Sequence, residues 1–164
     1  MDALEAIQKR ASVREYARKT IPFDILSKIV DAGRLAPTAR GVEPWEFVVI
    51  TDESIKRKIA DIADTGRFIA ESAACIAVFC KETKYYLDDG CAATENILIA
   101  ATAFGIGACW VAGDKKPYCP QISQLLGVPA EYKLISMISL GYPKGEVKPH
   151  KKRELKVVLH RERF

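Results

Sequence analysis

Residues 86–104 constrain this chain more than any other segment. Their spacing predicts a helix, and its centre, Ile97-Leu98-Ile99-Ala100-Ala101, is apolar on all sides. A helix without a polar face has to be covered all round, within a core or at a subunit interface. The rest of the chain must therefore supply elements that wrap it. Gly105 and Gly107 close it.

The flanking sequence supplies those elements. Asp2 reads as the N-cap of a helix over 2–10, with Leu4, Ile7 and Ala11 on one face. Residues 24–35 read as a second helix behind Pro22, and 52–63 as a third through Ile55, Ile59 and Ile62. Residues 120–126 read as a short helix closed by Gly127. Apolar runs of strand length interleave with them at Phe47–Ile50, Ala74–Cys80, Ala108–Val111 and Lys133–Leu140. Leu155, Val157, Val158 and Leu159 suggest one more strand. Between helix and strand, Ala36–Trp45 holds two prolines and a glycine and reads as an irregular loop. With 164 residues, no repeat and no shift in composition, the chain reads as a single domain over 1–164.

Composition removes several classes. Hydrophobic residues at 49% and charged residues at 28% are those of a globular protein, not a disordered one. A net charge of +4 points to neither nucleic acid nor a membrane surface. No apolar run approaches the ~20 residues of a membrane span. The polar, acidic start Met1-Asp2-Ala3-Leu4-Glu5 does not read as a secretory signal. Five cysteines, none in a CxxC pair, read as reduced and mostly buried thiols of a cytoplasmic protein. Cys119 reads as an incidental surface thiol, and two histidines make a His-based metal site improbable. No GxGxxG, Walker A, GxSxG or HExxH motif occurs, so any catalysis here calls for a cofactor.

Four segments carry candidate chemistry. In Arg10-x-Ser12-x-Arg14, extended residues two apart share a side, so two guanidinium groups and a hydroxyl can meet one phosphate. Taken alone, the segment reads first as a solvated basic turn, since such clusters are common on surfaces. The Ala36–Trp45 loop is stiffened by proline at both ends and can hold backbone against a ligand, while Trp45 reads as a core anchor. Gly105-x-Gly107-x-x-Trp110-Val111-Ala112-Gly113 allows backbone to approach a flat ring closely. Gly141-Tyr142-Pro143 followed by Lys151-Lys152-Arg153 reads as a turn and a basic tail.

In this order the segments resemble the nitroreductase family of FMN-dependent oxidoreductases, over nearly the whole chain. The resemblance is carried by Arg10-Ala-Ser12-Val-Arg14-Glu-Tyr16, Ala36-Pro37-Thr38-Ala39 and Glu43-Pro44-Trp45-Glu-Phe47-Val48-Val49. It continues through Asn96-Ile-Leu98, Ala101 to Gly107, Trp110, Leu126-Gly127-Val128-Pro129 and Leu140-Gly141-Tyr142-Pro143. It implies an α+β fold: a mixed, mainly antiparallel central sheet flanked by helices, with the 86–104 helix at a homodimer interface. It also implies FMN in a cleft built by both subunits. Arg10, Ser12 and Arg14 would grip the phosphate and the nearby flavin edge, joined by Arg153 and Lys152 near the C-terminus. Thr38, Ala39 and Arg40 would lie beside the ring. Trp110, Val111, Ala112 and Gly113 would lay backbone against it, the Ala112 N–H facing N5. Arg14 is the catalytic candidate, as the cation that stabilises charge at N1/O2.

The implied activity is ping-pong transfer of a hydride from NADH or NADPH to flavin, then to a nitroaromatic, a quinone or a related small acceptor. A non-reductive or dehalogenating member of the family, or a flavin-binding module without activity, are the alternatives. Two departures from the family pattern stand out. Gly41 replaces an Asn and Glu43 a Gln in the proline loop, and residues 52–87 leave little material for a roof over the site.

Overall fold

The computed structural model describes residues 1–164 and places the helix anticipated at 86–104 at Tyr86–Ala103. In chain order the elements are α1 (Ala3–Lys9), α2 (Phe23–Arg34), β1 (Trp45–Ile50), α3 (Glu53–Ile62), β2 (Ala74–Lys81), α4 (Tyr86–Ala103), β3 (Gly107–Ala112), α5 (Cys119–Leu125), β4 (Tyr132–Gly141) and α6 (Leu155–Val158). Two 3-10 segments, Ala39–Gly41 and Asp64–Glu71, lie between them. The architecture is α+β. No helix is long and apolar enough to cross a membrane.

The four strands form one sheet in the order β1-β2-β4-β3, each pair antiparallel. Alternation along the strands divides the core into two layers. On one face Ile76, Val78, Ile138, Leu140 and Ala108 pack with Ile97, Leu98 and Ala101 of α4 and with Leu26 and Ile29 of α2. On the other, Cys75, Ala77, Phe79, Met137 and Val111 pack with Ile59, Ile69 and Ile122. Between Val78 and Phe79 the register slips, because Val78 pairs with Ser136 but Phe79 with Leu134. Ile135 is the extra residue of this bulge, and local twist follows from it. Ser136 turns toward α4, where its hydroxyl lies 2.8 Å from that of buried Thr94.

The chain after α1 binds the far edge of the sheet. Ser12 bridges Ala108 in parallel and Tyr16 bridges Pro143 antiparallel. The Val13 N–H donates to the Ala108 carbonyl at 3.0 Å and the Ala17 N–H to that of Tyr142 at 2.8 Å. The buried Tyr16 hydroxyl donates to the Val13 carbonyl at 2.5 Å and lies 2.6 Å from Ser139 Oγ. Burial raises its phenol well above the usual range. Gly107 and Gly141 make room for this crossing: a Cβ at the first would lie 2.8 Å from Val13, and at the second 2.6 Å from the Tyr16 ring.

Three sequence expectations change. Leu155–Val158 is one helical turn, not a strand, and is exposed throughout. A strand needs a partner edge, and this stretch instead closes on itself, the Leu159 N–H donating to the Leu155 carbonyl at 2.9 Å.

 The α4 helix is buried on one side only within a single chain, through Ala93, Thr94, Ile97, Leu98 and Ala101, while Ile99 and Ala100 are half-buried and Leu87 and Phe104 exposed. Cys119 is half-buried rather than on the surface, its Sγ 3.9 Å from the Asp114 carbonyl oxygen.

Replacing Gly141 or Gly107 by Ala forces a methyl group into Tyr16 or Val13. Each change is expected to lower stability by roughly 1–3 kcal/mol, the usual cost of overpacking. Urea denaturation of the two variants beside the parent measures it.

Candidate functional site

The crossing segment brings Arg10, Ser12 and Arg14 to one place. Arg10 is half-buried, and Ser12 and Arg14 are exposed. All three act on buried Cys109 of β3: burial raises its thiol, while Arg14, the Ser12 hydroxyl and Arg10 pull it back down. The bridge between Ser12 and Ala108 lays this segment, with Arg10 and Arg14 on either side of Ser12, along the outer edge of β3. The Arg14 guanidinium also lies 5.7 Å from the centroid of the Phe68 ring, which the 64–71 segment presents.

The same strand supplies the second group. The Gly113 N–H donates to the Ile135 carbonyl at 2.9 Å, so the odd-numbered residues of β3 turn toward β4. By the alternation of an antiparallel pair, Ala112 points its N–H and carbonyl away from β4. Its carbonyl accepts from the Tyr118 hydroxyl. Ala112 is exposed, Trp110 half-buried, and Val111 and Gly113 buried. A Cβ on Gly113 would lie 2.5 Å from the Leu134 carbonyl oxygen, so only glycine fits where β3 meets the bulge. Beyond it, Asp114 and Lys115 both have φ 34°, and the Tyr86 hydroxyl donates to Asp114 Oδ1 at 2.9 Å.

The third group is the proline loop. Asp89, 4% exposed, sits in the first turns of α4 and holds this loop from beneath. The Thr38 hydroxyl donates to its Oδ2 and the Ala39 N–H to its Oδ1, each at 2.9 Å. The Glu43 N–H in turn donates to Thr38 Oγ1 at 3.0 Å. Thr38 and Ala39 are therefore committed to Asp89, and Arg40 is the exposed side chain that the loop offers outward. Arg40, Gly41 and Glu43 all have left-handed backbone, at φ 61°, 66° and 49°. Glycine and asparagine adopt that conformation with least strain, which accounts for Gly41 standing where the family pattern has Asn.

Asp89 was not among the residues singled out from sequence. Acids in the first turn of a helix normally complement its dipole, and Asp88-Asp89 gives no further signal. Lys152 and Arg153 lie in an exposed coil, and no hydrogen bond or ion pair ties them to Arg10, Ser12 or Arg14 within this chain.

The residues present fit FMN in two respects. The Arg10–Ser12–Arg14 group has the charge and donors that a phosphate takes, and the outward Ala112 N–H beside closely packed Gly113 suits the edge of a flat ring.

A protein of Archaeoglobus fulgidus, provisionally named an NADH dehydrogenase/NAD(P)H nitroreductase, is 35% identical over 152 residues, covering 88% of this chain and 87% of the relative. The solved structure of an FMN-dependent nitroreductase from Clostridium difficile R20291 superposes with a TM-score of 0.91 at 26% identity, covering 98% of this chain and 99% of that one. Human iodotyrosine deiodinase 1 is 25% identical over 178 residues, covering 87% of this chain and 61% of the relative. The Nitroreductase family profile matches residues 7–88 and 81–142. The chain belongs to the nitroreductase family.

Proposed function

We propose that the chain is an FMN-dependent oxidoreductase that uses NADH or NADPH to reduce a nitroaromatic, a quinone or a related small acceptor, working as a homodimer. The observation that carries this reading is the placement of two complementary groups on one strand. Arg10, Ser12 and Arg14 stand on the segment that Ser12 bridges to Ala108, and the Ala112 N–H faces outward at the end of the same strand. Ala108, which Ser12 bridges, and Ala112 lie roughly 13 Å apart at the usual rise of a strand.

The chemistry supplied by bound FMN is acceptance of a hydride from a nicotinamide and delivery of the electrons to a second substrate, in alternate half-reactions. The residues of this chain bind and tune. Arg10 and Ser12 hold the phosphate. Arg14 sets a fixed cation beside the ring edge, where negative charge gathers on reduction. The centroid of the Phe68 ring lies 5.7 Å from that guanidinium. Tyr118 holds the Ala112 carbonyl, and with it the peptide plane that carries the Gly113 N–H. Asp89 fixes the loop that carries Arg40.

A homodimer is supported by the apolar surface of the single chain. Leu4 and Ile7 of α1, Leu87 of α4, Phe104, and Leu155, Val157, Val158 and Leu159 of the tail are all exposed. Apolar surface of this extent marks an interaction site, and a second copy covers it by two-fold symmetry. A tail docked on a partner would carry Lys152 and Arg153 toward a phosphate.

The protein as purified is expected to be yellow, to release FMN on heating and to sediment as a dimer. Under anaerobic conditions it should oxidise NADH or NADPH when offered a nitroaromatic or a quinone. A colourless protein that does not take up FMN overturns the reading. The similarity to iodotyrosine deiodinase favours reductive dehalogenation as the second reading, and turnover of a halogenated phenol with failure of both other acceptors would select it.

Arg10→Ala should weaken FMN retention roughly 10- to 100-fold, the worth of about 1.5–3 kcal/mol for a hydrogen bond to a charged group. Arg14→Ala should instead lower the flavin potential and slow reduction by the nicotinamide more than it loosens FMN. Dialysis with absorbance reads the first, and potentiometry with stopped-flow reads the second; an unchanged potential removes Arg14 from its role.

Asp89→Ala leaves the buried end of the proline loop without its acceptor and should cost about 1–3 kcal/mol in urea denaturation. FMN affinity should fall with it, since the loop loses its fixed path. Full FMN affinity in a destabilised variant would confine Asp89 to a structural part.

A further inference from the structure

A second basic site lies apart from these groups. A groove of about 410 Å³ opens between the chain leaving the Tyr16 crossing, the end of β1, the start of α3 and the entry to β2. Its walls include Arg18, Lys19, Lys56 and Arg57, with the hydroxyls of Thr20 and Thr51. Glu53 and Glu71 also line it, so four cations face two carboxylates. It sits at the end of the sheet where Ile50 pairs with Cys75 and Gly107 with Gly141, whereas Ala112 lies at the opposite end. None of its lining residues belongs to the Arg10–Arg14, 38–40 or 110–113 groups.

Lys56 makes this more than a patch of surface charge. Its side chain is buried, the residue being 4% exposed, and its Nζ donates to the Ser72 carbonyl, which leaves two further N–H donors on the ammonium. Burial pushes its pKa down, while Glu53, Cys75, Glu71 and Asp52 hold it up. Even so, no carboxylate lies within ion-pair distance of Lys56, Arg18, Lys19 or Arg57. Lys19 instead stands 4.0 Å from the centroid of the Tyr142 ring. A buried ammonium without a counter-ion is costly, and an anion in the groove relieves that cost. The two arginine forks suit phosphate oxygens, and the volume is that of a small-molecule site.

We propose that this groove binds the phosphate end of a small phosphorylated molecule, with Lys56 at its floor and Arg18 and Arg57 at its rim. The site does not depend on the flavin reading. Its ligand is either the phosphate of an electron donor or that of a separate metabolite, and both use the same cations.

Titration of isotope-labelled, FMN-saturated protein with sodium pyrophosphate at constant ionic strength tests the site. Saturable amide shifts are expected at residues 17–20, 51–57 and 70–73. The double variant Arg18→Ala/Arg57→Ala changes two exposed side chains and should weaken pyrophosphate binding at least tenfold with flavin content unchanged. Lys56→Met, which keeps the buried volume and removes the charge, should weaken it similarly. No saturable shift at these amides, or an unchanged dissociation constant in the double variant, overturns the proposal. Turnover then separates the sources. A KM raised in the double variant for NADPH but not NADH assigns the phosphate to the donor. Unchanged KM values alongside lost pyrophosphate binding assign it to a separate ligand.

Discussion

The whole molecule answers to the lack of a polar face on α4. One side is satisfied within the chain, where Ile97, Leu98 and Ala101 meet Ile76, Ile138 and Leu140 of the sheet and Leu26 and Ile29 of α2. That contact sets the distance between sheet and helix layer. It also places Asp89, one end of the same helix, under the proline loop. The other side, with Ile99, Ala100 and Leu87 only partly covered, is left for another surface. Core packing thus uses one side of α4 and leaves the other partly covered within the chain.

A second constraint is the closure of the β3 edge. An unpaired edge strand invites pairing with another chain, and the segment from Ser12 to Ala17 covers part of it. The cover begins at Ala108 and turns off to Tyr142, which leaves the Ala112 end open. Arg10 and Arg14 are carried to the edge by that same cover. Covering the open strand and placing Arg10, Ser12 and Arg14 along it are one event in this fold. Gly107 and Gly141 permit it because the crossing chain passes where a side chain would stand.

Much of this was legible in the sequence, for physical reasons. The helices and strands follow apolar period, and α4 and the four strands stand close to where the pattern put them. Arg10, Ser12 and Arg14 alternate along the segment that bridges the edge of β3. What sequence could not show is long-range partnership. Asp89 looks like any acid at a helix start until Thr38, fifty-one positions earlier, is seen donating to it. Lys56 looks like part of a solvated helix face, because nothing local reveals that Ser72 and the end of the 64–71 segment close over it. The tail misled for the opposite reason. Val157, Val158 and Leu159 have strand-like chemistry, but a strand is a relation between two segments, and α6 has no edge beside it in its own chain.

The outward Ala112 N–H has an evolutionary consequence. A donor that belongs to the main chain is specified by the path of β3 rather than by the side chain at position 112. Substitutions there can accumulate without erasing the donor, provided that Gly113 and the Ile135 bulge keep the strand on course. The buried residues that steer the strand, Gly113 above all, are therefore the ones on which that donor depends.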